Sequence, residues 1–337
     1  MRGRRRSAAR LLVGTAATAA FLWLFLREAD LGAAWEEIRG LPAGTIAGAV
    51  ALVGVNVVVM ALRWRYLLAA AGHEVALRSL VSSVAVGRAA NNVIPARGGD
   101  LLRIESMREV AKVPAFVSAG TLFAERLLDG VVLAVFILAG ALLVGGGGVP
   151  LLTGIALSAG TALGVVLVVL AARRPAAAER LAGRAAGRLP ERWRERTTRA
   201  AGNFVVGLGA FRRRRPLVLA GLTSFGMWAA DLAMFALVGR AYGLDLGLGA
   251  YLLLEGIGNL ALAVPATAAG LGTFDYITFL TARHVELDEQ TATAYVLTMH
   301  ALVVLPVTIL GGLLLRPALP RLFRGRAEEP GQRRAES

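Results

Sequence analysis

The chain has 337 residues, 56% of them hydrophobic, and a net charge of +14 from 37 basic and 23 acidic residues. A soluble domain of this length needs far more polar surface, so the composition excludes one and points to a polytopic membrane protein. There is no cysteine, which excludes disulfides, thiolate metal sites and cysteine nucleophiles.

The N-terminus, MRGRRRSAARLLVGTAATAAFLWLFLREAD, starts like a signal peptide, but no small-x-small cleavage site follows its apolar run. It is a poor twin-arginine signal too, and reads as an uncleaved first span over 11–26. Further spans follow at 42–62, 115–144, 149–172, 217–238 and 291–315. These runs are continuous, not alternating, so they are helices and not barrel strands. Two other apolar stretches, 79–96 and 248–282, are interrupted. The first ends in RAANNVIPARGGDLLR (88–103) and the second contains YLLLEGIGNLALAVPATAAGLGTFDYITFL (251–280).

Counting lysine and arginine decides how the interrupted stretches sit. If each crosses once, the 173–215 connection, with thirteen arginines and three acids, falls outside, against the positive-inside bias. Let 79–96 instead enter from the cytoplasm and return to it, and let 248–282 do the same from outside. Inside connections then hold 31 of the 37 basic residues and outside ones four, with Arg88 and Arg126 left in the membrane. The outside connections READLGAAWEEIRGL and RHVELDEQ are each net −2. The expected fold is therefore all-α, with about six full spans and two re-entrant hairpins. Pro95 and Pro265 sit in matching Gly/Pro-broken segments of oppositely running halves, 11–172 and 217–315, the pattern of an inverted-repeat transporter. Residues 1–10 and 316–337 fall in the cytoplasm, flanking one transmembrane domain over 11–315. In the 173–215 loop, Trp193, Thr197, Ala200, Phe204, Leu208 and Phe211 recur at spacings of three and four. They predict an amphipathic helix on an anionic lipid surface; nucleic acid is not the expected partner.

Ionisable groups within spans are expensive and need a partner or a purpose. In AERLLDG, Glu125, Arg126 and Asp129 share one helical edge, as an internal salt bridge or as part of a site. Two acids against one arginine leave a surplus that Arg88 is placed to match. Arg88, Asn91 and Asn92 share a face, and Arg97 with Gly98 and Gly99 resembles an anion-binding backbone turn before a helix capped by Asp100. Arg88, Arg97 and Arg103 are thus candidates for phosphate capture, with a structural cap-and-turn the alternative for Arg103. On the second hairpin, Glu255 and Asn259 share a side and Asp275 follows Gly270 and Gly272. Glu255, in an apolar run, is the first choice for a proton-coupled acid. Asp231 and His300 read as interhelical contacts. The three histidines lie too far apart for a metal pair, and there is no P-loop, G-x-S-x-G or H-E-x-x-H. No cofactor, metal or catalytic residue is expected, and ATP-driven pumping by this chain is not expected.

NNVIPARGGDLLR, ERLLDG and VPATAAGLGTFD, in this order, resemble the hallmark segments of the lysylphosphatidylglycerol synthase/flippase membrane-domain family. The resemblance covers roughly residues 10–320 and implies an integral membrane protein that moves a modified phospholipid between leaflets. It carries over Asn92, Pro95, Arg97, Gly98, Glu125, Arg126, Asp129, Pro265, Gly270 and Gly272. Asp100 and Asp275 stand where the family leads one to expect glutamates. Only 22 residues follow Leu315, so lysyl transfer is not expected of this chain. The function read from the sequence is a flippase-like transporter, not an enzyme, for an anionic, aminoacylated or glycosylated phospholipid in a bacterial plasma membrane. A neighbouring lipid-modifying synthase is an expected partner. The alternatives are a small-solute transporter, or a membrane transferase acting on a lipid-linked sugar or phosphate through Glu28, Asp30, Glu36 and Glu37.

Overall fold

A computed structural model describes residues 19–27, 30–94, 98–145, 148–187, 190–262 and 268–315, and all regular structure among them is helical. In chain order the helices are α1 (19–27), α2 (Leu31–Arg39), α3 (Ala43–Ala70), α4 (Leu77–Val93), α5 (Gly98–Ala111), α6 (Ala115–Leu143) and α7 (Val149–Arg173). Then come α8 (Pro175–Ala185), α9 (Glu191–Gly207), α10 (Arg214–Ala241), α11 (Leu248–Leu262), α12 (Thr273–His284) and α13 (Glu289–Leu315). Short 3-10 turns at Gly209–Arg212 and Ala268–Gly270 precede α10 and α12. Proline sets several of the starts. Pro42, Pro114 and Pro190 each stand immediately before a first helical residue, where a missing N–H costs nothing.

Among the described residues, α3, α6, α7, α10 and α13 are long and apolar enough to cross a membrane. They answer to five of the expected spans. The expected first span, 11–26, is described only from residue 19, where α1 sets Phe25 edge-on against Phe279 of α12. The limit of α3 needs correction: it was expected to end at 62 and runs on to Ala70, carrying Arg63 and Trp64 into the buried interior. READLGAAWEEIRGL is also more than a connection. It holds α2, capped by Asp30, whose carboxylate accepts the Gly32 and Ala33 N–H groups at 3.0 Å each.

Neither interrupted stretch is one unbroken helix. Helices α4 and α5 fold back antiparallel: the Gly99 N–H donates to Asn91 Oδ1 at 2.8 Å, and Arg103 lies beside Gly87. Helices α11 and α12 do the same, with Gly258 against Phe274 and Thr278. Residues 95–97 and 263–267 lie outside the described residues, and with them Pro95, Arg97 and Pro265. Around the hairpins, α3 and α10 run antiparallel, Gly48 meeting Leu237 while Arg63 meets Ser224. Helix α6 packs on α11 at Gly140, and α13 packs on α4 at Gly311. Small residues at such crossings let backbones approach, which is how helices associate in lipid.

The expected amphipathic helix is present as α9, but it ends at Gly207, short of two of the residues expected on its apolar face. Leu208 caps it and Phe211 lies in the following 3-10 turn, both buried with Leu67, Leu127 and Val168, whereas Trp193 on α9 is 47% exposed. The helix is drawn onto the bundle because Gly120 of α6 and Gly207 of α9 touch backbone to backbone. A Cβ on Gly120 would collide with the Phe204 carbonyl, and one on Gly207 with the Val117 carbonyl. Replacing Gly120 with leucine is expected to push α9 off, costing about 1–3 kcal/mol. Trypsin should then cut faster at the α8 and α9 arginines of the detergent-purified protein, and unchanged cleavage would refute this.

Candidate functional site

The charged residues gather where α3, α5 and α6 meet. Arg103 of α5 donates both arms of its guanidinium to Glu125 of α6, at 3.0 and 3.1 Å. Its plane stacks over Trp64 of α3, 4.1 Å from the ring centre, and Trp64 donates to Thr121 at 3.0 Å. Arg63, fully buried, pairs with Asp129 at 2.5 Å, lies 3.7 Å from Glu125 and donates to Ser224 of α10 at 3.1 Å. Trp228 adds a bond to Asp129 at 3.2 Å. Arg126 turns back to Asp100, donating at 3.1 and 3.2 Å, and lies 3.7 Å from Asp129. In a low-dielectric interior such bidentate, multiply bonded pairs hold charges that would otherwise be too costly to bury.

Three expectations change here. The surplus acid beside Arg126 is matched by Arg63 and Arg103, not by Arg88. Asp100 is not an N-cap, because α5 starts two residues earlier; it sits in the first turn, bonded to Arg126 and Asn91. Nor does Gly99 serve an anion-binding turn. Its N–H is taken by Asn91, and it is glycine because a Cβ would collide with the Gly87 carbonyl of α4.

A cavity of about 200 Å³ opens beside this cluster, between the facing ends of the two hairpins. Asn91, Asn92 and Arg126 face it from one side, Asn259 and Gly270 from the other, and Asn56 and Asp231 from α3 and α10. Arg88 reaches into it. Its guanidinium donates to Asn56 Oδ1 at 2.7 Å and to the Met60 sulfur at 3.3 Å, and it forms no ion pair among the described residues. Asn56 is thereby oriented: its amide donates to Asp231 at 2.8 Å and to the Met227 carbonyl at 3.3 Å. Among the described residues, Arg88 is thus a cation of the cluster that no carboxylate claims directly. Asn92 ties α4 to α13, donating to Thr308 at 2.8 Å.

The second hairpin is latched differently. Asp275 accepts the Gly272 N–H at 2.8 Å and meets His300 of α13 at 2.5 Å, while the other ring nitrogen of His300 lies 3.0 Å from the Ala269 carbonyl. Ala269, Gly270 and Gly272 all take positive φ, so the chain turns sharply where it leaves the cavity. Asp231 and His300 both make the interhelical contacts expected of them.

Of the residues singled out by sequence, Arg88, Asn91, Asn92, Arg103, Arg126, Asp129, Asn259 and Gly270 line the cavity. Glu125, Glu255 and Asp275 are buried outside its lining, and Gly98 and Gly272 flank the hairpin turns. Sequence reading missed Arg63 and Asn56. A usable signal for Arg63 was present: Met60, Arg63, Trp64 and Leu67 continue one helical face past the expected end of the span, and all four are buried.

Comparison with known families matches residues 8–311 to the family described as lysylphosphatidylglycerol synthase TM region. Among curated proteins, the chain is 28% identical over 299 residues to Glycosyltransferase AglD of Haloferax volcanii, covering 79% of this chain and 47% of that protein. The chain spans about half the length of the curated relative it matches.

Proposed function

This chain belongs to the lysylphosphatidylglycerol synthase TM region family, and from that membership we propose that it is a lipid flippase-like transporter. It takes an anionic phospholipid, bare or carrying an aminoacyl or glycosyl head group, and passes it between leaflets through the cavity at the hairpin ends. The observation that carries this reading is Arg88, a cation in a polar cavity without a carboxylate partner of its own. A lipid phosphate supplies the missing anion, with Asn91 and Asn92 as further polar contacts. Asp129 and Asp231 line the same cavity and suit a cationic or hydroxylated head group. The lipid tails stay in the bilayer. In this reading the chain itself performs no bond-making chemistry.

Re-entrant hairpins in an inverted repeat are part of the proposal. Helices of 17, 14, 15 and 12 residues measure about 25, 21, 22 and 18 Å, short of the ~30 Å hydrocarbon core. A shift of 171 residues carries the starts of α3 and α4 onto those of α10 and α11, Gly87 onto Gly258, Arg88 onto Asn259 and Gly140 onto Gly311. Packing obeys the same exchange, since α6 lies on α11 as α13 lies on α4. Asn56 bonds to Met227, its own counterpart, which is the mark of a residue on a two-fold axis. Because α3 and α10 exchange while antiparallel, that axis lies across the helices, as in inverted-repeat transporters. The arginine count favours cytoplasmic termini in a bacterial plasma membrane, with the 173–215 arginines against anionic lipid.

The test is reconstitution into liposomes with a fluorescent phosphatidylglycerol analogue and a membrane-impermeant quencher. The expected result is quenching of inner-leaflet probe that depends on the protein, and faster for phosphatidylglycerol than for a neutral lipid. Folded protein that moves no phosphoglycerol lipid sinks the reading. A transferase acting on a lipid-linked sugar is the second reading, favoured by the name of the curated relative. Its candidate acids are already engaged in part: Asp30 caps α2, and Glu36 pairs with Arg39 at 3.3 Å.

A further inference from the structure

Glu255 lies on α11 of the second hairpin, fully buried, and neither of its carboxyl oxygens has a hydrogen-bond partner among the described residues. Among the described residues, the titratable groups that act on it are Asp231 on α10, Tyr295 on α13 and Tyr251 one turn back on its own helix, and no cation is among them. The Tyr295 hydroxyl is spent on the Phe235 carbonyl at 2.9 Å, and the Tyr251 hydroxyl is unbonded. Helix α6 packs on the neighbouring residue, Gly256, through the apolar Ile137. An ionised carboxylate in such surroundings has neither a counter-charge nor a donor, a cost the group escapes by holding its proton. Metal cations of the hard class want six or more oxygens, and a single carboxyl with one phenol does not supply them. A proton is the ligand that fits.

The fold does not require an acid there. Under the 171-residue shift the counterpart of Glu255 is Val84, a buried valine in the matching helix of the first hairpin. Glu255 is also close to the transport path. Asn259, one turn on, lines the cavity and donates to the Glu255 backbone carbonyl at 3.0 Å, and Asp231 lines the cavity too.

We propose that Glu255 is a proton-binding site that couples lipid movement to a pH difference across the membrane. The coupling rests on the flippase reading; the proton site does not. Glu255 holds a proton while α11 is packed against α6 and α10, and gives it up when the second hairpin parts from them and water reaches the carboxyl. If water reaches it from opposite faces in alternate states, one proton crosses per cycle.

Two measurements decide it. Infrared spectra of the purified protein in detergent are expected to show the carbonyl stretch of a protonated carboxyl at neutral pH, lost in Glu255→Gln. Wild-type protein without that band, or a Glu255→Gln protein that keeps it, overturns the site whether or not any lipid moves. In liposomes, a one-unit pH gradient is expected to shift the steady-state leaflet distribution of the probe by up to about tenfold per proton carried. Glu255→Gln should still move lipid but ignore the gradient. An unchanged response to the gradient in the variant overturns the coupling. If wild type moves no lipid, the flippase reading and the coupling fall together, and the infrared result still stands for or against the site.

Discussion

Arg63→Leu is expected to be the most destabilising single substitution in the protein. It strips Asp129 of its closest cation and leaves a second carboxylate, the buried Glu125, with only Arg103. Removing one partner of a buried pair costs about 3–5 kcal/mol, because the charge left behind is uncompensated. The thermal midpoint in detergent should fall accordingly. Removing the whole arrangement is a different matter, since an apolar replacement of a buried ion network is often neutral. Combining Arg63→Leu with Asp129→Leu should therefore recover much of the loss. If the double variant is no better than the single one, the network's worth lies elsewhere than in charge pairing.

Arg88→Gln is the functional counterpart, with the opposite profile. Arg88 directly neutralises no acid, so its removal leaves no carboxylate newly orphaned, and stability should change little. Transport should suffer heavily. Losing a charge-assisted, two-armed bond to a phosphate is worth about 3 kcal/mol, or about a hundredfold in the rate of phosphatidylglycerol movement at low lipid. Arg88→Lys keeps the charge but not the fork, and should fall between the two. A variant that unfolds, or one that moves lipid at the wild-type rate, would take Arg88 out of the substrate site.

Much of the architecture was legible because lipid imposes simple rules. Long apolar runs between basic or proline-marked ends pointed to five helices long enough to span, with the end of α3 missed by eight residues. The Gly/Pro breaks at 79–96 and 248–282 marked the hairpins because a spanning helix has no use for them. The charge pairing was less legible. Arg63 looked like the basic end of a span, since arginine after an apolar run usually marks a water interface; only its partners on α5 and α6, remote in sequence, keep the helix going. Asp100 shows the same limit. Its place near a helix start suggested a cap, whereas its bond is to Arg126, 26 positions away. Local grammar found the long apolar helices, and it failed most where a long-range ion pair overrode it.

The separation of Arg63 from Asp129 also bears on how the protein is made. The two stand 66 positions apart, with a whole hairpin between them, so the ribosome delivers the cation well before the acid that neutralises it. During that interval α3 carries an arginine that belongs in the interior and has nothing to meet there. The newborn helix must wait at the headgroup level, or in the shelter of the insertion machinery, until α6 emerges. The pairing of Arg63 with Asp129 therefore waits until α6 has been made.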